Sequence, residues 1–148
     1  MKKLILLIIL LSVVLMPDQT IDRKTIFENH LWKQKYEEYS SDQEIVAILR
    51  SKKDKITSIS VYFAFWCGDS ENNVPPFIKI LDEMKNSSIG VNYFIVKRKG
   101  SSGRKYYNEE LKVEKIPTFI FFKDGKEIGR ITENPKKTLE EDFLEIVF

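Results

Sequence analysis

Cys67 is the single cysteine of a 148-residue chain and lies in the run Trp66-Cys67-Gly68-Asp69-Ser70. A cysteine thiolate is a nucleophile, and its natural chemistry is disulfide exchange. The preceding stretch, Ser58 to Phe65, is mostly β-branched or aromatic, with Val61, Phe63 and Phe65 alternating with smaller or more polar neighbours. That pattern predicts a buried strand. Gly68 and the short polar residues after it suit a tight turn into a helix. Cys67 would then stand at a helix N-terminus, where unpaired N–H groups and the helix dipole favour a negative thiolate. The anionic neighbours Asp69 and Glu71 oppose that effect. With one cysteine no intramolecular disulfide or cysteine-rich metal site can form, and the single histidine, His30, excludes a histidine cluster; no metal and no cofactor is called for.

The elements that must hold this turn follow from the rest of the chain. Pro75-Pro76 interrupts the helical pattern after Ser70 and predicts either a kinked helix or two helices. Val91 to Val96 reads as a second strand, and Tyr106 to Leu111 as a short helix leading to Ile116-Pro117-Thr118. Phe119 to Thr132 carries a hairpin signal with Asp124-Gly125 at its turn. Two capping boxes are expected, Ser41 to Glu44 before Ile45, Ile48 and Leu49, and Thr138 to Glu141 before Phe143, Leu144, Ile146 and Val147. Ile26, Phe27, Leu31, Trp32, Tyr36 and Tyr39 approximate a helical stripe that packs on the domain, with His30 at the surface. The basic stretch Lys97 to Lys105, rich in glycine and serine, reads as a mobile solvated loop, with grip on an anionic partner as the other reading.

These motifs, in this order, resemble the thioredoxin family. Trp66-Cys67-Gly68-Asp69-Ser70 is similar to its Trp-Cys-Gly-x-Cys turn, Ile116-Pro117-Thr118 to its cis-proline loop, and Phe119 to Ile131 to its closing hairpin. The likeness runs from about Ile56 to the C-terminus, and Pro75 falls where the family bends its active-site helix. It implies an α/β, thioredoxin-like fold: a central mixed β-sheet flanked by helices, here with an N-terminal signal segment. It also implies that the backbone of Ile116, beside a cis Pro117, pairs with a substrate strand while Trp66, Gly68 and Asp69 border the thiol. Two positions depart from the pattern: Ser70 replaces the second cysteine, and Val61 replaces a buried acid six positions before Cys67.

Composition sets the remaining bounds. A net charge of +2 implies no nucleic-acid partner. Lys2-Lys3 followed by the apolar run Leu4 to Met16 is a signal-peptide pattern, shorter than the roughly 20 residues of a spanning helix. The expected division is a signal peptide or hydrophobic anchor over 1–20, a helical extension over 21–40 and the main domain over 41–148. Export to the periplasm or exterior is expected, with cleavage between Pro17 and Asp22, or a membrane tether if uncleaved. A monomer is expected.

A dithiol cycle needs a second cysteine to release the mixed disulfide, and a serine hydroxyl cannot do so. Cys67 with Ser70 therefore points to monothiol exchange, as an oxidoreductase or isomerase, on partner-protein thiols or disulfides with an external resolving thiol. The other reading is a non-catalytic module that binds peptides at the cis-proline groove, with Cys67 as a packing residue. The spacing of Cys67 and Ser70 also resembles the turn of monothiol glutaredoxins, but Trp66 and Phe121 to Gly125 are closer to thioredoxin. No Thr-x-x-Cys arrangement of a peroxidase is present.

Overall fold

A computed structural model describes residues 19–100 and 103–148. The signal-segment expectation over residues 1–20 therefore lies largely outside the described residues, apart from Gln19 and Thr20. Among the described residues no helix is long and apolar enough to cross a membrane. The chain runs β1 (Gln19–Ile21), α1 (Arg23–Phe27), α2 (His30–Glu38), α3 (Gln43–Ser51), β2 (Ser58–Phe63), α4 (Gly68–Glu83), β3 (Gly90–Ile95), β4 (Thr118–Lys123), β5 (Lys126–Thr132) and α5 (Leu139–Val147). The strands form one mixed sheet in the order β1-β3-β2-β4-β5. β2 lies parallel to β3 and antiparallel to β4, with Val61 opposite both Tyr93 and Phe119.

β2 is buried on both faces, which explains its nearly continuous apolar run. Ile59, Val61 and Phe63 enter the larger core with Trp32, Val46, Leu49, Phe77, Phe119 and Phe143. Tyr62 and Ala64 point to a second cluster with Val96, Val113, Ile116 and Ile120. Helices supply the first cluster, whereas the second is packed largely by the chain between β3 and β4. The β4–β5 turn places Asp124 at φ 51° and Gly125 at φ 79°, the paired left-handed conformation of a tight hairpin.

The structure corrects several local expectations. Pro75 and Pro76 lie inside one uninterrupted helix and do not divide it. α3 is capped by Asp42, whose Oδ1 accepts from the N–H groups of Glu44 and Ile45, and not by Ser41. Ser41 is buried, and Glu140 of α5 takes the Asp42 N–H at 3.2 Å. Val46 joins the core, while Ile48 remains 42% exposed. No helix forms at Tyr106 to Leu111. The Asn108 Oδ1 accepts the Leu111 N–H at 2.8 Å, and Asn108 pairs with Val113 as an isolated bridge. A side chain that bonds its local backbone in this way competes with the helix ladder. The Thr138–Glu141 capping box, by contrast, is present in both directions.

The α2 stripe packs as its spacing predicts, except that Leu31 points outward. Trp32 is 0% exposed and its ring lies 5.3 Å from Phe63 and 4.8 Å from Phe65. Truncating a buried tryptophan costs about 3–5 kcal/mol. Trp32→Ala should therefore lower the urea midpoint strongly, while Ile48→Ala should stay within about 0.5 kcal/mol of the parent.

Tyr36 donates to Asp82 at 2.7 Å and Tyr39 to Glu140 at 2.9 Å, tying α2 to α4 and α5. Burial, followed by these carboxylate partners, pushes both phenols upward, and burial likewise raises Tyr93. A raised folded pKa stabilises the protein fully below the unfolded value and is lost as pH climbs through the folded one. Stability should thus begin to fall above about pH 10, the unperturbed tyrosine value. Urea midpoints measured against pH, with tyrosinate absorbance followed in parallel, check this.

Candidate active site

The C-terminal end of β2 delivers the thiol. Phe63 closes the strand, the Cys67 N–H donates to Ala64 O at 3.1 Å, and Cys67 becomes the N-cap of α4 in an extended conformation. Its carbonyl accepts the Glu71 N–H at 3.0 Å, opening the helix ladder. The thiol is half-buried, and its Sγ lies 3.5 Å from the carbonyl of Ile116, to which it donates. The Ile116-Pro117 peptide bond is cis.

The structure therefore brings together Cys67 and Ile116-Pro117, 49 residues apart in the sequence. Trp66 is 41% exposed beside them. A Cβ built on Gly68 would meet nothing within 4 Å, so the helix mouth is open next to the sulfur. Ser70 stands apart from this group. It is 0% exposed, and its Oγ accepts the Ala64 N–H at 3.4 Å, joining the strand end to the helix. Among the described residues no hydrogen bond links Ser70 to Cys67. Val61 is wholly buried in the apolar core, so its position contributes no acid or base.

Two anionic neighbours of the thiol are compensated by residues that the sequence reading did not single out. The Asp69 carboxylate accepts from Asn134 Nδ2 at 3.1 Å. Glu71 lies 3.7 Å from the Lys35 ammonium of α2, which also donates to Asn72. Asn73 Nδ2 reaches Asp69 O, Glu133 O and Asn134 Oδ1 at 2.9, 3.3 and 2.9 Å. Glu133 in turn donates its N–H to Pro117 O at 2.7 Å and holds Lys115 with its carboxylate. The first turns of α4 and the cis-proline loop are thus fastened to the same short segment after β5. The contacts of Asp69 and Asn73 with Glu133 and Asn134 span 60 to 65 residues, and no local motif announces them.

The described residues of the basic stretch after β3 are exposed apart from Lys99, yet two of them are held in place. Lys99 Nζ donates to the carbonyls of Lys105 at 2.6 Å and Glu114 at 2.5 Å. The Arg98 guanidinium lies 4.3 Å over the Trp66 ring. Tyr107 packs on the same apolar cluster as Cys67. Burial raises its phenol, a negative Cys67 adds to that shift and Arg98 opposes it, so the three groups share one electrostatic environment.

A mixed sheet flanked by helices, with a cysteine N-cap facing a cis-proline loop, defines a thioredoxin-like protein. The chain belongs to the thioredoxin family, whose sequence model matches residues 15–143. A protein named thioredoxin from Mycoplasmopsis pulmonis (strain UAB CTIP) is 31% identical over 98 residues, covering 66% of this chain and 90% of that relative. A crystal structure of a Pseudomonas aeruginosa protein of unknown function is similar in fold, with a TM-score of 0.53, 16% identity and 86% of each chain covered.

Asn73 is the junction of the network that sets the spacing between α4 and the cis-proline loop. Loss of a buried amide that serves several acceptors costs about 1–3 kcal/mol. Asn73→Ala should lower stability by about that amount in urea unfolding, while an exposed substitution such as Asn92→Ala should change it by less than about 0.5 kcal/mol.

Proposed function

We propose that Cys67 performs monothiol exchange with disulfides or thiols of partner proteins, on a chain exported through its N-terminal segment. The observation that carries this reading is the placement of a half-buried thiol at the α4 N-cap, 3.5 Å from the carbonyl that precedes the cis proline. A helix N-terminus stabilises the thiolate, and the Asn134 and Lys35 contacts draw the adjacent carboxylates into pairs of their own. In the reaction the Cys67 thiolate attacks one sulfur of a partner disulfide. A bond forms between Cys67 and that sulfur, the partner's S–S bond breaks, and the second sulfur leaves as thiolate. Because Ser70 is buried and lacks a thiol, an external thiol must attack the mixed disulfide and return Cys67 to its reduced state.

Two further features support parts of the reading. The cis Ile116-Pro117 bond leaves a main-chain edge next to the sulfur, suited to pairing with an extended peptide. Lys2-Lys3 and the apolar run that follows favour export. Cleavage on the N-terminal side of Gln19 would retain the β1 pairing with β3. A second reading, a binding module with an inert Cys67, is favoured by the apolar Val61 and by packing of Cys67 against the second cluster.

Alkylation separates the two readings. An ordinary thiol, with a pKa near 8.5, is only a few per cent ionised at pH 7, so activation leaves room for a rise of up to about thirtyfold. Native Cys67 should react with iodoacetamide at pH 7 about tenfold faster than the same cysteine in the urea-unfolded chain, and should form mixed disulfides that await an added thiol. A native rate below the unfolded one, with no mixed disulfide, would sink the exchange reading and leave the binding module.

A further inference from the structure

We propose that Arg98 makes the thiol selective for anionic disulfides, reading a carboxylate that flanks the scissile S–S bond; this rests on the exchange reading of Cys67. Three observations converge on this residue. Its guanidinium is held at 4.3 Å over Trp66, the residue immediately before the thiol. Of the other described arginines, Arg23 and Arg130 pair with Asp82 and Glu127, Arg50 donates to the carbonyls of Glu83 and Met84, and Arg104 is exposed in the same stretch but is not the one seated over Trp66. Arg98 is exposed and has no carboxylate partner among the described residues. Its anchoring is structural as well, because Lys99 next to it is bonded to Lys105 and Glu114 and lies 4.4 Å from the Tyr107 ring.

A guanidinium stacked on an aromatic face keeps its N–H edge free, and that edge matches a carboxylate in a two-pronged geometry. The stack fixes where the charge sits, so an incoming disulfide with a carboxylate beside its sulfur meets both the thiolate and its counter-charge. A cationic disulfide meets repulsion from Arg98 and from Lys97 beside it. The exchange step keeps its balance: one S–S bond breaks, one forms to Cys67, and the departing thiolate carries the electron pair. The carboxylate is bound and not consumed.

The test uses three disulfides on closely similar scaffolds: dithiodipropionate as dianion, its diamide as neutral probe, and cystamine as dication. The rate of mixed-disulfide formation with Cys67 is read by mass spectrometry on the full chain. With each rate divided by that of a small neutral thiol on the same disulfide, which removes the leaving-group difference, the dianion should outpace the dication by about tenfold at low salt, and the ratio should collapse in 1 M salt, where screening acts within about 3 Å. Arg98→Gln should shrink the ratio to about threefold or less with the diamide rate unchanged, and Arg98→Lys should restore most of it. A ratio unaffected by Arg98→Gln overturns the inference. So does an equal fall for the diamide, which would place Arg98 in support of the Cys67 thiolate and not in selection. Failure of the diamide to react at all with the parent chain would overturn the exchange reading itself, and the selectivity with it.

Discussion

Everything at the site depends on the double burial of β2. One face of the strand is locked into the helical core through Ile59, Val61 and Phe63, and the other into the smaller cluster through Tyr62 and Ala64. Neither face can rotate or slip by a residue without exchanging large apolar side chains for smaller ones. The strand therefore ends at a fixed point with a fixed direction, and the turn that follows inherits both. Trp32 reinforces this from behind, since its ring touches Phe63 and Phe65, the last aromatic residues before the turn. The thiol is placed by packing several residues away from it, and α4 then begins where the strand leaves off.

The second constraint is electrostatic. A helix N-terminus attracts anions, and α4 has two carboxylates of its own, Asp69 and Glu71, in its first turn. Left unpaired they would be free to occupy that field themselves. Asn134 and Lys35 engage them instead, from the segment after β5 and from α2. The N–H of Glu133, next to Asn134 in that segment, donates to Pro117 O, so the segment that engages Asp69 also holds the cis-proline loop. The hydrogen bond to Asp69 and the placement of the loop thus belong to one network, and the Lys35–Glu71 pair stands outside it.

Much of this was legible in the sequence because it is local. The alternation before Cys67, the Asp124-Gly125 turn and the Thr138–Glu141 box each encode their geometry within a few residues. The errors come where a distant group decides a local outcome. Ser41 has the right type for a cap, yet Asp42 takes that role because Ser41 is buried and Glu140 of α5 claims the neighbouring N–H. Tyr106 to Leu111 has a helical pattern, yet the Asn108 side chain satisfies a backbone donor in a turn and Val113 returns to pair with it. At the site, the strand, the thiol turn and Ile116-Pro117 could be read in order. Lys35, Asn73, Asn134 and Arg98 could not, since each acts across a fold that no spacing reveals.

The missing helix before the cis-proline loop has a consequence for the chemistry. A regular helix over Tyr106 to Leu111 would satisfy its own backbone and pack one apolar stripe on the second face of the sheet. The carbonyls of Lys105 and Glu114, which flank that stretch on either side, hold Lys99. Lys99 in turn sets the loop against Tyr107, leaving Arg98 to stack on Trp66. Arg98 is thereby held against the ring of Trp66, the residue that precedes Cys67, by contacts that need no regular structure.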